Sequence, residues 1–277
     1  MRNNLNKKVY GLVIFYHPTD EQVSLAIKNS SQFDKLYVWC NSNVFSMDKK
    51  EHIILIGNSV NDGIAVAINK TIEIIQDSCE YLVILDQDSK IEDNFVEKMI
   101  KFMDVHPSVA LSGPVILEDG SGIVLNDTDN TRIITSGSVI RMLMCQKIQL
   151  DENLFIDYVD FDYCLTLLNN GMKLSINRDA SLIQSLGNPI AKNILGIKIS
   201  SSNHSVIRRY YMFRNRIYII LKHFNKHPVW CGREIIRSIS EIAKILIVEH
   251  QRFEKIRCIA VATSDAIRGK MGAKRVA

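Results

Sequence analysis

Two carboxylates stand two residues apart at the end of an apolar run, in Tyr81-Leu82-Val83-Ile84-Leu85-Asp86-Gln87-Asp88-Ser89. A short apolar run bounded by polar residues reads as a buried strand. Asp86 and Asp88 then fall at its C-terminal edge, where open α/β sheets bind their ligands. On a turn, the pair can converge on one cation with a diphosphate on its far side. The plain alternative is an Asx-type turn that ends the strand. A second acidic cluster, Asp157, Asp160 and Asp162, lies among aromatic and aliphatic residues from Leu154 to Leu165. A third stretch, Arg208 to Arg216, interleaves basic and aromatic side chains. Arginine forks suit phosphate, but long charged side chains also cover apolar surface on solvated helices.

These groups need a frame. Val9 to Tyr16, Lys35 to Trp39, Ile53 to Ile56 and Tyr81 to Leu85 read as strands. Helical spacing or caps place helices between them: Asp20 is read as the cap of one to Ser30, Ile64 to Asp77 forms a second, and Asp93 to Val105 follows the last strand. This alternation predicts a parallel, doubly wound α/β sheet. Polar clusters at Thr19-Asp20, Asn41-Ser42, Asn58 to Asp62 and Asp86 to Ser89 should gather on one edge, as a nucleotide pocket requires. Further on, Val109 to Leu117 reads as a strand and 119 to 130 as a surface excursion. Thr135-Ser136-Gly137-Ser138 sits between apolar flanks, where glycine allows close backbone approach or a bulge. Asp160 starts a helix to Asn170 with Gly171 beyond it. Lys173 to Ile176 and Ser181 to Gln184 read as two short strands, followed by a loop at Leu186 to Pro189. Three helices follow: Ile217 to Phe224, Arg233 to His250 and Phe253 to Lys270.

The 277 residues carry 34 Lys+Arg and 30 Asp+Glu, unevenly placed. From His204 onward there are 16 basic and 5 acidic residues, a net of +11, which leaves 18 and 25 before it, a net of −7. An acidic body with a basic tail points to an anionic partner surface. Six scattered cysteines with no Cys-x-x-Cys pair speak against a zinc site or a disulfide framework. The apolar run from Val9 is too short for a signal sequence, and no 18-residue apolar stretch predicts a spanning helix.

In order along residues 9 to 220, the motifs resemble those of inverting family-two glycosyltransferases, above all the rhamnosyltransferase-like enzymes of bacterial surface polysaccharide assembly. The pieces are Asn41-Ser42, Asn58-x-x-Asn61-x-Gly63, Leu85-Asp86-Gln87-Asp88-Ser89, Ile134 to Ser138, Leu154 to Asp162, Ser185-Leu186-Gly187, and Tyr210 to Arg216. The resemblance implies a GT-A fold, a doubly wound, Rossmann-like mixed sheet with a C-terminal basic amphipathic helical region. It implies a catalytic domain at 1–203, divided into a nucleotide-sugar half near 9–117 and an acceptor half near 118–203, and a helical region at 204–277. Asp88 is implied as the Mg²⁺ or Mn²⁺ ligand, with Asp86 binding ribose or the metal and Gln184 standing where the family has a metal-binding His. Asp160 matches the general base. Tyr16, His17, Asn41, Asn58, Asn61, Gly63, Asp86, Gln87, Asp88 and Arg214 are implied on the donor side. Ser136, Gly137, Ser138, Asp157 and Asp162 are implied on the acceptor side, with Asp162 also readable as a helix cap and Asp157 as a turn residue. Cys40 replaces the nucleobase-binding Asp, His17 an Asn, and Val159 a Glu.

The implied reaction moves L-rhamnose from dTDP-L-rhamnose, with inversion, to a hydroxyl of a lipid-linked O-antigen or capsular glycan. A UDP-hexose donor, such as UDP-galactose or UDP-galactofuranose, is the alternative of the same fold. The implied location is cytoplasmic, on the inner face of a bacterial plasma membrane, with residues 204–277 on anionic lipid and no nucleic-acid partner. Two other classes compete. Haloacid-dehalogenase-like phosphatases also place two Asp residues two apart, but near the first strand and with Thr or Val where Lys90 stands. A non-enzymatic module would use the basic aromatic tail to bind an anionic surface or nucleic acid, which the acidic body opposes.

Overall fold

The structure is a computed structural model and describes residues 7–42, 50–119, 124–126, 129–184, 190–194 and 196–274. It divides into two compact units: Met1–Glu152 with Asp160–Gln184, and Asn153–Val159 with Ser185–Ala277. The division after Gln184 differs from the expected one after residue 203.

The first unit is built on nine strands: β1 (Val9–Phe15), β2 (Lys35–Cys40), β3 (Ile53–Ile56), β4 (Tyr81–Asp86), β5 (Lys90–Ile91), β6 (Val109–Glu118), β7 (Val124–Asn126), β8 (Val139–Arg141) and β9 (Lys173–Gln184). Five helices accompany them: α1 (Asp20–Asn29), α2 (Ile64–Ile75), α3 (Phe95–Val105), α4 (Met142–Cys145) and α5 (Val159–Asn169). The sheet order is β3-β2-β1-β4-β8-β6-β9-β5, with β7 on β6. The first four strands are parallel; β8 then runs antiparallel to both β4 and β6, while β6 and β9 pair in parallel. The sheet is therefore mixed, and the parallel half carries the expected alternation. Val13 and Phe15 of β1 and Val83 and Leu85 of β4 pack in one core with Phe95 and Met99 of α3. Leu12 and Ile84, on the other sheet face by the two-residue period, are just as buried. Burial on both faces is what a doubly wound sheet requires.

Three local readings change. Thr19, not Asp20, caps α1, in a reciprocal capping box with Gln22. The two short strands expected at 173–176 and 181–184 are one strand, β9, whose register against β6 jumps between Pro114↔Asn177 and Val115↔Ser181. Arg178 to Ala180 bulge at that point, opposite a proline that has no N–H to offer the ladder. The second unit also holds a β-hairpin that the sequence pattern does not signal, β10 (Ile190–Ile194) with β11 (Ile197–Ser201).

In the second unit, the helices run as α6 (Val206–His223), which starts well before the expected Ile217 and takes in the basic-aromatic stretch, α7 (Pro228–Ile247) and α8 (Arg252–Ile267). Tyr210, Tyr211 and Phe213 of α6 form its core with Ile245, Ile259 and Ala262. The same unit buries charge. Arg209 and Lys255 both bond the side chain of Glu249, and Arg216 bonds Tyr158 and lies 3.4 Å from Glu234. Buried ions persist only when each meets a partner, and here the helices and loops of the unit supply them to one another. Among the described residues no helix is long and apolar enough to cross a membrane.

Candidate active site

The parallel register brings three chain segments to one edge. Ile14 of β1 pairs with Asp86 of β4, and Phe15 pairs with Cys40 of β2. The residues just beyond are tied across the strands. Gln87 Oε1 accepts the Tyr16 backbone N–H at 2.9 Å, and its Nε2 donates to Gln22 Oε1 at 3.2 Å. The His17 N–H donates to Ser42 Oγ at 2.8 Å. Asn41 is buried, and its Oδ1 accepts from Trp39 Nε1 at 3.0 Å and from the Asp62 N–H at 3.4 Å. Asn58 and Asn61 fold their carboxamides onto the turn: Asn58 Oδ1 accepts from the Val60 N–H and Asn61 Oδ1 from the Gly63 N–H at the start of α2. The expected clusters thus meet at the edge. Asn41, Asn58, Asn61 and Gln87 brace its loops, while the Tyr16 side chain is half exposed. The Cys40 thiol is buried, and burial pushes its pKa up, so it stays neutral where the family has a carboxylate.

Asp86 is half-buried and Asp88 is exposed on the turn that follows. Gln184, at the end of β9, brings its Nε2 within 3.5 Å of Asp86 Oδ2. Among the described residues no three His, Cys, Asp or Glu side chains cluster as a metal site. Two carboxylates and an amide are nevertheless hard oxygen donors. They fit a Mg²⁺ or Mn²⁺ ion that keeps several waters and takes phosphate oxygens from its substrate.

The Thr135–Ser138 segment lies along β4. The Gly137 N–H donates to the Ile84 carbonyl at 2.7 Å, and the Ile84 N–H donates to the Ser138 carbonyl at 2.9 Å. Gly137 has φ +75°, and a Cβ there would lie 2.7 Å from Pro114 Cγ and 2.9 Å from Leu182 Cδ1. The close approach that glycine permits is therefore to the protein itself. Ser136 and Ser138 are buried: Ser136 Oγ shares a hydrogen bond with Ser89 Oγ, and Ser138 Oγ donates to the Thr135 carbonyl. Within the unit, these three residues fix the end of β4. Asn29, which nothing in the sequence marks, does the same by donating to the Ser89 carbonyl.

Asp160 lies half-buried in the first turn of α5, and its Oδ1 accepts the Phe161 N–H at 2.9 Å. A small cavity of about 10 Å³, room for roughly one water, is lined by Asp160 with Thr135, Ser138, Ile84 and Tyr163. The cavity thus joins the candidate base to the back of the strand that carries Asp86. Asp162 is 1% exposed, which suits a group that supports the helix start better than one that touches an acceptor.

In the second unit, Asp157 and Tyr158 occupy consecutive left-handed positions, φ +59° and +69°. Such backbone is strained for side chains other than glycine and concentrates at functional segments. Asn215 holds it by donating to the carbonyls of both Ile156 and Asp157. Asp157 Oδ1 accepts from Arg208 at 3.2 Å, while its buried Oδ2 has no hydrogen-bond partner among the described residues. Burial raises the Asp157 pKa against the opposing pull of Arg208. Arg214, expected on the donor diphosphate, is 1% exposed; it bonds Asn215 Oδ1 and the Gly272 carbonyl and stacks over Tyr210 and Tyr211. These contacts tie Arg214 to this unit, while its Nη2 has no hydrogen-bond partner among the described residues. Ser185-Leu186-Gly187 lies outside the described residues.

Comparison with known proteins supplies what the geometry lacks. The model of the glycosyl transferase family 2 matches residues 40–164, which include Asp86, Asp88 and Asp160. The chain is 29% identical to the dTDP-rhamnosyl transferase RfbF of Shigella flexneri, over 98% of this chain and 99% of that protein. Its fold is similar to that of the S. aureus TarS 1-349 crystal structure, with TM-score 0.53 and 11% identity over 95% of this chain and 72% of that one. It is also similar to GalNAc-T7 crystallised with UDP, GalNAc and Mn²⁺, with TM-score 0.54 and 11% identity over 78% of this chain; the chain spans about half, 48%, of that structure. Residues 40–164 thus match the glycosyl transferase family 2 model, and this match, the near full-length relative and the GT-A-like fold together support a glycosyltransferase.

Proposed function

We propose that the enzyme transfers L-rhamnose from dTDP-L-rhamnose, with inversion, to a hydroxyl of a lipid-linked glycan of bacterial surface polysaccharide. The donor identity is supported by the near full-length similarity to a dTDP-rhamnosyl transferase. The observation that carries the reaction type is the meeting of Asp86 and Asp88 with the ends of β1 and β2 on one sheet edge, with Asp160 on α5 in the same unit. Asp88 and Asp86, with Gln184, would hold the divalent ion, which as a Lewis acid offsets charge on a leaving diphosphate. Asp160 accepts the proton of the attacking hydroxyl, a role that typically contributes about 10²–10⁴-fold. Residues 204–277, with their net charge of +11, meet the anionic membrane in which such an acceptor is embedded.

The test is a donor panel. A ligand that binds only the folded state raises the melting temperature, by about 2.7 kcal/mol of stabilisation at a hundredfold excess over Kd. With Mn²⁺ present, dTDP-L-rhamnose should shift the melting temperature most, ahead of UDP-galactose and UDP-galactofuranose. A larger shift with a UDP-hexose would overturn the donor, and none with any nucleotide sugar would overturn the pocket.

A further inference from the structure

Helix α7 is apolar on both sides. Its inward side carries Glu234, Ser238 and Glu241 beside the buried Trp230, Cys231 and Ile245. Glu234 is 1% exposed and accepts the Tyr158 hydroxyl at 2.8 Å. Glu241 and Ser238 bond Arg216 at 2.8 and 3.0 Å. The outward side carries Val229, Ile236, Ile239, Ala243, Leu246 and Ile247, all exposed, with Ile236 at 68% and Ile239 at 64%. Their spacing of three, four and seven makes one stripe along the helix. Isolated exposed apolar residues are ordinary, but a continuous stripe marks an interaction surface. With Glu234 buried and Glu241 bonded to Arg216, the basic residues of α7 are Arg233 and Arg237, both exposed, and the half-buried Lys244, with Arg237 also 3.5 Å from Glu234.

We infer that α7 lies in the plane of an anionic lipid surface, with this stripe at the boundary between headgroups and acyl chains. The inference rests on the membrane association proposed above and names the face that makes it. Charge selects the occupant. Two copies meeting through this face would each bring a region of net charge +11, whereas anionic headgroups complement Arg233, Arg237 and Lys244. The helix lies on the bilayer and does not cross it, since its charged residues rule out a span.

The experiment is flotation of the full chain with vesicles of phosphatidylglycerol and phosphatidylethanolamine, against vesicles of phosphatidylcholine alone. Wild type should bind the anionic vesicles and lose binding as salt rises. Ile236→Glu and Ile239→Glu should each weaken binding by more than about tenfold, and Arg233→Gln by about fivefold at low salt. These side chains face solvent, so melting temperatures should stay unchanged and report folded protein. If wild type binds anionic vesicles and both isoleucine variants bind equally well, the α7 face is wrong while membrane association stands. No binding by wild type removes both readings. Equal binding to phosphatidylcholine, or a dimer in solution that Ile239→Glu dissociates, also overturns the assignment.

Discussion

Gly137→Ala tests whether the segment behind β4 is positioned as described. Two costs follow from the structure. A left-handed conformation costs an alanine about 1–2 kcal/mol relative to glycine. The new Cβ would lie 2.7 Å from Pro114 Cγ and 2.9 Å from Leu182 Cδ1, neither of them the end of a long flexible chain, and overpacking of this kind costs about 1–3 kcal/mol. The sum centres near 3.5 kcal/mol, or about 7–14 °C in melting temperature for a unit of this size. Gly171 supplies the control. It has φ +76°, but no atom lies within 4 Å of where its Cβ would stand, so Gly171→Ala should cost only the backbone part, centred near 1.5 kcal/mol, or about 3–6 °C. Denaturant titration and thermal melts of the two variants isolate the steric part. Because the Gly137 N–H bonds Ile84, two residues before Asp86, turnover of folded Gly137→Ala should fall as well. Equal melting temperatures for the two variants would refute the packing argument.

Other expectations follow from the charges. Glu249→Gln removes a carboxylate that bonds both Arg209 and Lys255, and should cost about 3–5 kcal/mol in denaturant titration; a loss below about 1 kcal/mol would contradict a buried network. Burial, reinforced by Arg208 and Arg209, lowers the His204 pKa from 6.5 to about 4. The unfolded chain then takes up the proton first, so stability should fall as pH drops from 6.5 toward 4, and His204→Gln should flatten that slope. An unchanged slope would place His204 in water. Asp88→Asn should raise the Mn²⁺ concentration that gives half-maximal transfer, and an unchanged half-point would put the ion elsewhere.

The parallel half of the sheet is legible because each strand is a short apolar run and each helix keeps its spacing, as in Val9 to Phe15 and Ile64 to Ile75. β9 reads as two strands because Asn177, Arg178 and Asp179 look like a turn; only the pairing with β6 shows them as a bulge. The β10–β11 hairpin is hidden because Lys192, Asn193 and Lys198 dilute its apolar pattern. At the site, the sequence marks Asp86 and Asp88 by residue type and spacing, and Asp160 by the family resemblance. It does not separate a serine that faces a substrate from one that braces a strand, and Ser136 and Ser138 brace. Nor does it reveal that Arg214 stacks on its own tyrosines, or that Asn215 holds the strained turn at Asp157, since side-chain direction and distant partners are set by the fold.

The central claim is that Asp160 takes the acceptor proton in a donor pocket formed at the end of β4. Single-turnover transfer from dTDP-L-rhamnose by Asp160→Asn, run beside donor affinity from thermal shift, tests it most directly. The account predicts unchanged donor affinity with transfer slowed by about 10²–10⁴-fold. Wild-type transfer by this variant would contradict it.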